Sequence, residues 1–286
     1  GSTGTHPFEK VDNDGGVGLL LDFALFYGDI QSIPPRFFGR ESIDAAICTV
    51  KKSAMDLFII RHGQSANNIL DDVSKRDMDP ALTEIGERQA ERVAEFLAAG
   101  HHLMPGERAE ARPHFDYLYC SPMLRSLQTV EPIAREMGIT PEVWIDIHEV
   151  GGIFLDHGEE EGVVGYPGQT RRQIMDRFPG YILPDDLTDA GWWDREKEEA
   201  HSSQDRAIGV ADALRDRAGE HQRIGMVSHG GFMSYLLNAI GLHLSVPGLY
   251  YEHYNTSITR IDFHPEGLVT IRHTNRVAHL SEDLIT

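Results

Sequence analysis

The stretch from Leu57 to Asn68 constrains the fold more than any other. Leu57-Phe58-Ile59-Ile60 is an unbroken apolar run with two β-branched residues, the pattern of a short strand buried on both faces in a parallel sheet. It stops at Arg61-His62-Gly63, and Ser65 or Asn67 is placed to cap a following helix. In an open α/β sheet, ligands bind outside the carboxyl ends of strands, so Arg61 and His62 stand where chemistry is usually done. Taken alone, Arg-His-Gly is more readily an ordinary charged turn. The rest of the chain has to decide.

Length and charge narrow the field. A chain of 286 residues can bury a sizeable core as one large domain or one domain with extensions, and its 41% apolar and 25% charged residues are those of a soluble globular protein. A formal charge of −19 argues against nucleic acid or an anionic membrane as partner. Any anionic substrate must therefore be drawn by a local basic pocket. Two cysteines, Cys48 and Cys120, make no disulfide framework and suit a reducing cytoplasm. No apolar run approaches the roughly 20 residues that span a bilayer. Leu19 to Tyr27 is broken by Asp22 and has no basic segment before it, which argues against a signal peptide.

Residues 1–54 read as an irregular N-terminal extension, either a cover over the core or a contact in a homo-oligomer. Gly15, Gly16 and Gly18 lack the flanking strand and Lys-Ser/Thr of a phosphate loop, and Pro34-Pro35 breaks the segment before Arg36-Phe37-Phe38. Thr83 is a natural N-cap for a helix with Ile85, Val93 and Leu97 on its buried face. Residues 100–114 read as a polar loop in which His101 and His102 are solvated, since no carboxylate or Cys is spaced to share a metal with them.

Tyr117 to Cys120 then gives a second strand, followed by a helix with Ser121 as N-cap and Pro122 at its first position. Arg125 falls in the first turn, where the helix dipole opposes a cation; an anion beside the helix start would explain it. Val143 to Gly152 reads as a third strand running into a glycine turn. Within residues 153–205, Thr170 can cap a short helix with Ile174 and Phe178 facing inward. A helix from about Ser203 to Gly219 leads to Ile224-Gly225-Met226-Val227-Ser228-His229-Gly230-Gly231, a strand ending in a histidine at a helix N-terminus, a good place to hold an anion. The tail reads as a hairpin turning at Pro265-Glu266-Gly267.

Four of these stretches, in order, resemble the histidine phosphatase (phosphoglycerate mutase-like) superfamily, in its mutase and small-phosphatase branch. They are Arg61-His62-Gly63-Gln64-Ser65 with Asn68, Leu82-Thr83 to Gln89-Ala90, Ser121-Pro122 to Arg125 and Gln128-Thr129, and Ser228-His229-Gly230-Gly231. The resemblance covers residues 56 to 280. It implies an α/β fold with a mostly parallel central sheet flanked by helices on both faces, in a domain of residues 55–286 whose segment 153–205 covers the site.

The resemblance also assigns roles. His62 would attack phosphorus and carry a phosphohistidine, while Arg61, Arg125 and His229, with Asn68 and the backbone of Gly230, would neutralise the phosphoryl oxygens. Glu149 matches the family's general acid, with Asp146 and Asp156 as alternatives because the usual Gly-x-x-Glu-Gly continuation is only loosely matched. Arg171, Arg172 and Trp192 or Trp193 become candidate substrate contacts. No cofactor and no metal are called for, two arginines and a histidine taking the cation's place. Ala66-Asn67-Asn68 lacks the Trp-Asn of cofactor-dependent mutases, and no Arg-x-Tyr-Gly lies between Glu149 and His229. The implied protein is a cytoplasmic phosphomonoesterase acting on a phosphorylated small molecule or phosphoprotein. A phosphomutase and a non-catalytic phospho-ligand binder are the alternatives.

Overall fold

The computed structural model describes residues 53–108, 114–159, 161–219, 222–241 and 249–286. The features noted between Gly15 and Cys48 lie outside the described residues. The Leu57–Ile60 run is the centre of β1 (Met55–Arg61). There follow α1 (Glu84–Ala98), a single-turn α2 (Pro105–Arg108), β2 (Tyr117–Cys120), α3 (Leu124–Met137) and β3 (Glu142–Val143). Next come a hairpin of β4 (Phe154–Asp156) and β5 (Val163–Gly165), then α4 (Arg171–Arg177) and α5 (Ala200–Asp216). The chain closes with β6 (Gln222–Ser228), α6 (Gly230–Ile240), β7 (Ile258–Phe263) and β8 (Val269–Arg276).

Among the described residues the main sheet has the order β3-β2-β6-β1-β7-β8. β3, β2, β6 and β1 run parallel, while β7 and β8 add an antiparallel hairpin at one edge. The mostly parallel sheet expected from the sequence is the one that forms. Alternation along β1 explains the helices on both faces: Phe58 and Ile60 join one apolar cluster with α1 and α3, and Met55, Leu57 and Ile59 join another with α5 and α6. All five are fully buried, contributing roughly 1.5–3 kcal/mol each by transfer from water.

Local signals hold in several places. The Thr83 hydroxyl accepts from Gly86 N (3.1 Å), and Thr170 and Gln173 form a reciprocal capping box at α4. Ser65 caps only a 3₁₀ turn, Ala66–Ile69, while Asn67 bonds the backbone of Asp77 instead. Three expectations need correction. The third strand is only two residues long, since after pairing with Tyr119 and Cys120 the chain enters a 3₁₀ turn at Ile145–Ile147. α3 starts at Leu124 with Met123 as N-cap, so Ser121 and Pro122 lie before the helix. His102 is not solvated but 1% exposed, packed edge-on to Phe58 at 5.0 Å. Among the described residues no helix is long and apolar enough to cross a membrane.

Candidate active site

Sheet register builds the site. In the parallel β1–β6 pair Arg61 stands opposite Ser228, so the next residue of each strand, His62 and His229, emerges beside the other. Their rings lie 5.0 Å apart, centre to centre. β2 pairs with β6 through Cys120 and Val227, which brings Ser121 and the start of α3 to the same end of the sheet.

The hydrogen bonds assign the protons of His62. Its Nδ1–H donates to Gly63 O (2.7 Å), and its Nε2 accepts from Arg125 Nε (3.2 Å), a group that can only donate. The ring is therefore neutral, with its lone pair at Nε2. Burial, Arg125 and Arg61 all push the pKa of His62 well below the ordinary histidine value. The loop is tight: a Cβ at Gly63 would stand 2.6 Å from Gly86 O, so a side chain there would displace α1.

His229 caps α6 and is fully buried. Ser121 Oγ lies 2.6 Å from its Nε2 and accepts from Met123 N (3.2 Å). The arrangement that uses both sides of the hydroxyl has Ser121 O–H donating to His229 Nε2, which leaves the proton of a neutral ring on Nδ1. Among the described residues that Nδ1 is buried without a hydrogen-bond partner, as is Arg61 Nε. Burial, Arg125 and His62 hold the pKa of His229 well below its usual value.

Arg61 Nη1 donates to His253 O (2.5 Å), and a Cβ at Gly230 would stand 3.3 Å from Arg61 Nε. Glycine there lets the guanidinium lie against the start of α6. Arg125, 9% exposed, has as its nearest carboxylate Asp79 at 3.8 Å. Burial lowers its pKa, and Asp79 and Glu149 oppose that shift. Glu149 is held by three backbone donors: Val150 N and Phe232 N to Oε1 (both 2.9 Å) and Gly231 N to Oε2 (3.3 Å). Gly231 permits this, for a Cβ there would stand 2.6 Å from Glu149 Oε1.

The structure thus brings Arg61, His62, Arg125, Glu149, His229 and Gly230 together. Asp146 and Asp156 are exposed, and the Asp156 carboxylate accepts from Gly158 N in its own hairpin. Asn68 Oδ1 accepts from Ser65 N (2.9 Å), which fixes the turn after the histidine. Arg171 and Arg172 are not brought to the site. The Arg171 guanidinium donates to Pro184 O (2.8 Å) and Leu187 O (3.2 Å), and Arg172 is exposed with its backbone N bonded to Asp189. Trp192 and Trp193 are core residues against His148, at 5.2 and 5.0 Å, because apolar area outweighs their unpaired indole N–H groups.

Sequence reasoning missed three neighbours. Ser121 was spent on a cap. Asp79 also accepts from Leu124 N (2.9 Å) and from Gln169 Nε2 of the 153–205 segment (3.4 Å); the signal for it was the counter-charge that a buried Arg125 demands. Tyr250, near Gly230 and coupled electrostatically to Arg61 and Glu149, carries no local signal at all. Among the described residues no group of three His, Cys, Asp or Glu is placed to hold a metal ion.

Residues 57–276 match the histidine phosphatase superfamily (branch 1), and the chain belongs to that superfamily. It is similar to a phosphoserine phosphatase of Entamoeba histolytica solved with 3-phosphoglyceric acid (22% identity, TM-score 0.51, 79% of this chain and 100% of that one). It is also similar to a mycobacterial glucosyl-3-phosphoglycerate phosphatase solved with VO3 (20% identity, TM-score 0.50, 78% of this chain and 99% of that one). At such identity these likenesses establish the fold. A PE-PGRS family protein of Mycobacterium tuberculosis is 30% identical over 98 residues, 34% of this chain but only 15% of that protein's length.

Proposed function

We propose that the chain is a phosphomonoesterase working through a phosphohistidine on His62, within a catalytic domain of residues 55–286 whose segment 153–205 covers the site. The observation that carries this reading is the unprotonated Nε2 of His62, set between Arg125 and the ring of His229. Substrate would draw the Arg125 guanidinium onto its phosphoryl oxygens and uncover the lone pair.

In the first step Nε2 forms a bond to phosphorus as the ester P–O bond breaks, and Glu149 gives its proton to the departing alkoxide. The ring now carries positive charge, which Gly63 O steadies through Nδ1–H. Arg61, Arg125 and His229 Nδ1–H hold the equatorial oxygens, where most of the catalytic work of phosphoryl transfer lies. In the second step Glu149 takes a proton from water, the water oxygen bonds to phosphorus, and the P–N bond breaks. Inorganic phosphate leaves and His62 returns to its neutral form. Positive charge comes from the two arginines, so no divalent cation enters. A phosphorylated small molecule suits a nucleophile only 2% exposed.

The test is the leaving group. Glu149→Gln should lower kcat for an alkyl phosphate by about 10²–10⁴-fold, and the burst of p-nitrophenolate from p-nitrophenyl phosphate far less, because nitrophenolate needs no proton. Asp146→Asn and Asp156→Asn should show no such dependence. Equal losses for both substrates would remove Glu149 from the acid's role.

A further inference from the structure

Two peptide planes flank Gly63, and each is held at both ends. His62 O accepts from Asn255 Nδ2 (2.9 Å), and in the same peptide Gly63 N donates to Thr129 Oγ1 (2.9 Å). In the next peptide, Gly63 O accepts from His62 Nδ1–H (2.7 Å) while Gln64 N donates to Gln89 Oε1 (2.8 Å). A peptide unit is rigid, so fixing its N–H fixes its carbonyl. The Gln89 amide therefore governs the acceptor that keeps the proton of His62 on Nδ1.

Gln89 is itself fully buried and fully engaged. Its Nε2 donates to Leu284 O (2.7 Å) and to Thr286 Oγ1 (2.9 Å). The Thr286 hydroxyl passes its own proton on, donating to Asn255 Oδ1 (3.2 Å), and Thr286 O accepts from Asn255 N (2.9 Å). The circuit closes because Asn255 is the residue bonded to His62 O. The residue after it adds a second observation: Thr256 is buried at φ +55°, a left-handed conformation costly for a β-branched side chain. Its N–H donates to Arg61 O (3.0 Å). Such strain persists where surrounding contacts over-determine the backbone, and it clusters at functional sites.

We propose that Gln89, braced by residues 284–286 and linked through Thr286 to Asn255, is a positioning residue that sets the tautomer of His62 by holding the Gly63–Gln64 peptide. The proposal rests on the phosphohistidine reading for its catalytic consequence, but its structural content stands apart from it. Gln89 touches no reacting atom. It keeps the lone pair of His62 on the nitrogen that faces Arg125.

The experiment reads tautomer and turnover separately. In protein labelled with ¹⁵N-histidine, the His62 signal is identified by its absence from His62→Ala. Wild type should show Nδ1–H. Gln89→Leu should shift His62 toward Nε2–H and lower kcat roughly 10–100-fold, the scale of a small misplacement of a reacting group, with KM unchanged. Should Gln89→Leu fail to fold, Thr286→Val carries the test: it should shift the tautomer the same way by less, and Thr286→Ser should restore it. A His62 that stays Nδ1-protonated in every folded variant overturns the proposal. The same shift in a protein that turns over no phosphomonoester would sink the functional reading and leave the brace standing.

Discussion

The sheet carries a buried polar cluster at each end, and the two differ in how fully they are satisfied. At the amino end of β1, Arg260 is 1% exposed and each guanidinium nitrogen has a carboxylate: Nε on Asp262 Oδ1 (2.7 Å), Nη1 on Glu107 Oε2 (2.7 Å) and Nη2 on Glu107 Oε1 (2.6 Å). Asp262 also takes Arg272 (2.6 Å), and Asp56 takes Arg223 (3.4 Å). Burial alone would lower the pKa of Arg260, but its bonds to Glu107 and Asp262 raise it overall. At the carboxyl end Arg61 Nε and His229 Nδ1 have no partner among the described residues, and Arg125 meets Asp79 at 3.8 Å. One cluster is complete within the protein. The other leaves donors unpaired among the described residues, as the proposed phosphoryl site requires.

Unpaired atoms alone do not make a site. Among the described residues both ring nitrogens of His102 lack hydrogen-bond partners, yet the ring is packed against Phe58 and Phe115 as part of the core. Convergence of donors, added to burial, is what separates the two ends.

Substitution should break the two clusters in opposite ways. Arg125→Ala should cost the most, roughly 10³–10⁵ in kcat/KM, the range for an arginine that stabilises a transferring phosphoryl group. Its melting temperature should fall less, since its ion pair to Asp79, at 3.8 Å, is looser than those that hold Arg260. Arg260→Ala should do the reverse, lowering stability by about 3–5 kcal/mol by leaving buried carboxylates uncompensated, while the folded fraction keeps its kcat. Denaturant titration and steady-state kinetics on both variants check the contrast. A stability loss in Arg125→Ala as large as that in Arg260→Ala would erase it.

The smallest effect concerns His102, whose pKa burial and the nearby Arg223 and Arg260 depress to about 3. The unfolded chain takes up a proton near the usual 6.5, whereas the folded ring does not until far lower pH. Stability from this group is therefore present above pH 6.5 and lost as pH falls toward 3, at about 1.4 kcal/mol per pH unit. His102→Leu should flatten the fall in unfolding free energy across that window by about one proton's worth. An unchanged slope would mean that His102 is protonated in the folded state.

Much of the carboxyl-end cluster was legible because its residues adjoin strand ends that sequence pattern locates. Leu57–Ile60 fixed where Arg61 and His62 emerge, and Ile224–Ser228 did the same for His229. Thr83 and Thr170 were legible because a cap acts within three residues. The amino-end network was not, since Arg260, Glu107 and Asp56 meet only after the antiparallel edge has formed. Arg171 and Arg172 misled because a cation near an active-site segment can equally well tie down carbonyls, as Arg171 does. His102 misled because loop polarity says nothing about the one ring that turns inward.

The central claim is that phosphate passes through His62, and a single-turnover quench tests it most directly. Mixing excess enzyme with a ³²P-labelled phosphomonoester and quenching in base during turnover should trap label on the peptide containing residue 62, lost again on brief acid treatment. His62→Ala should take up no label and turn over no substrate. Label on another residue, no trapped label in an active wild type, or turnover by His62→Ala would contradict the account.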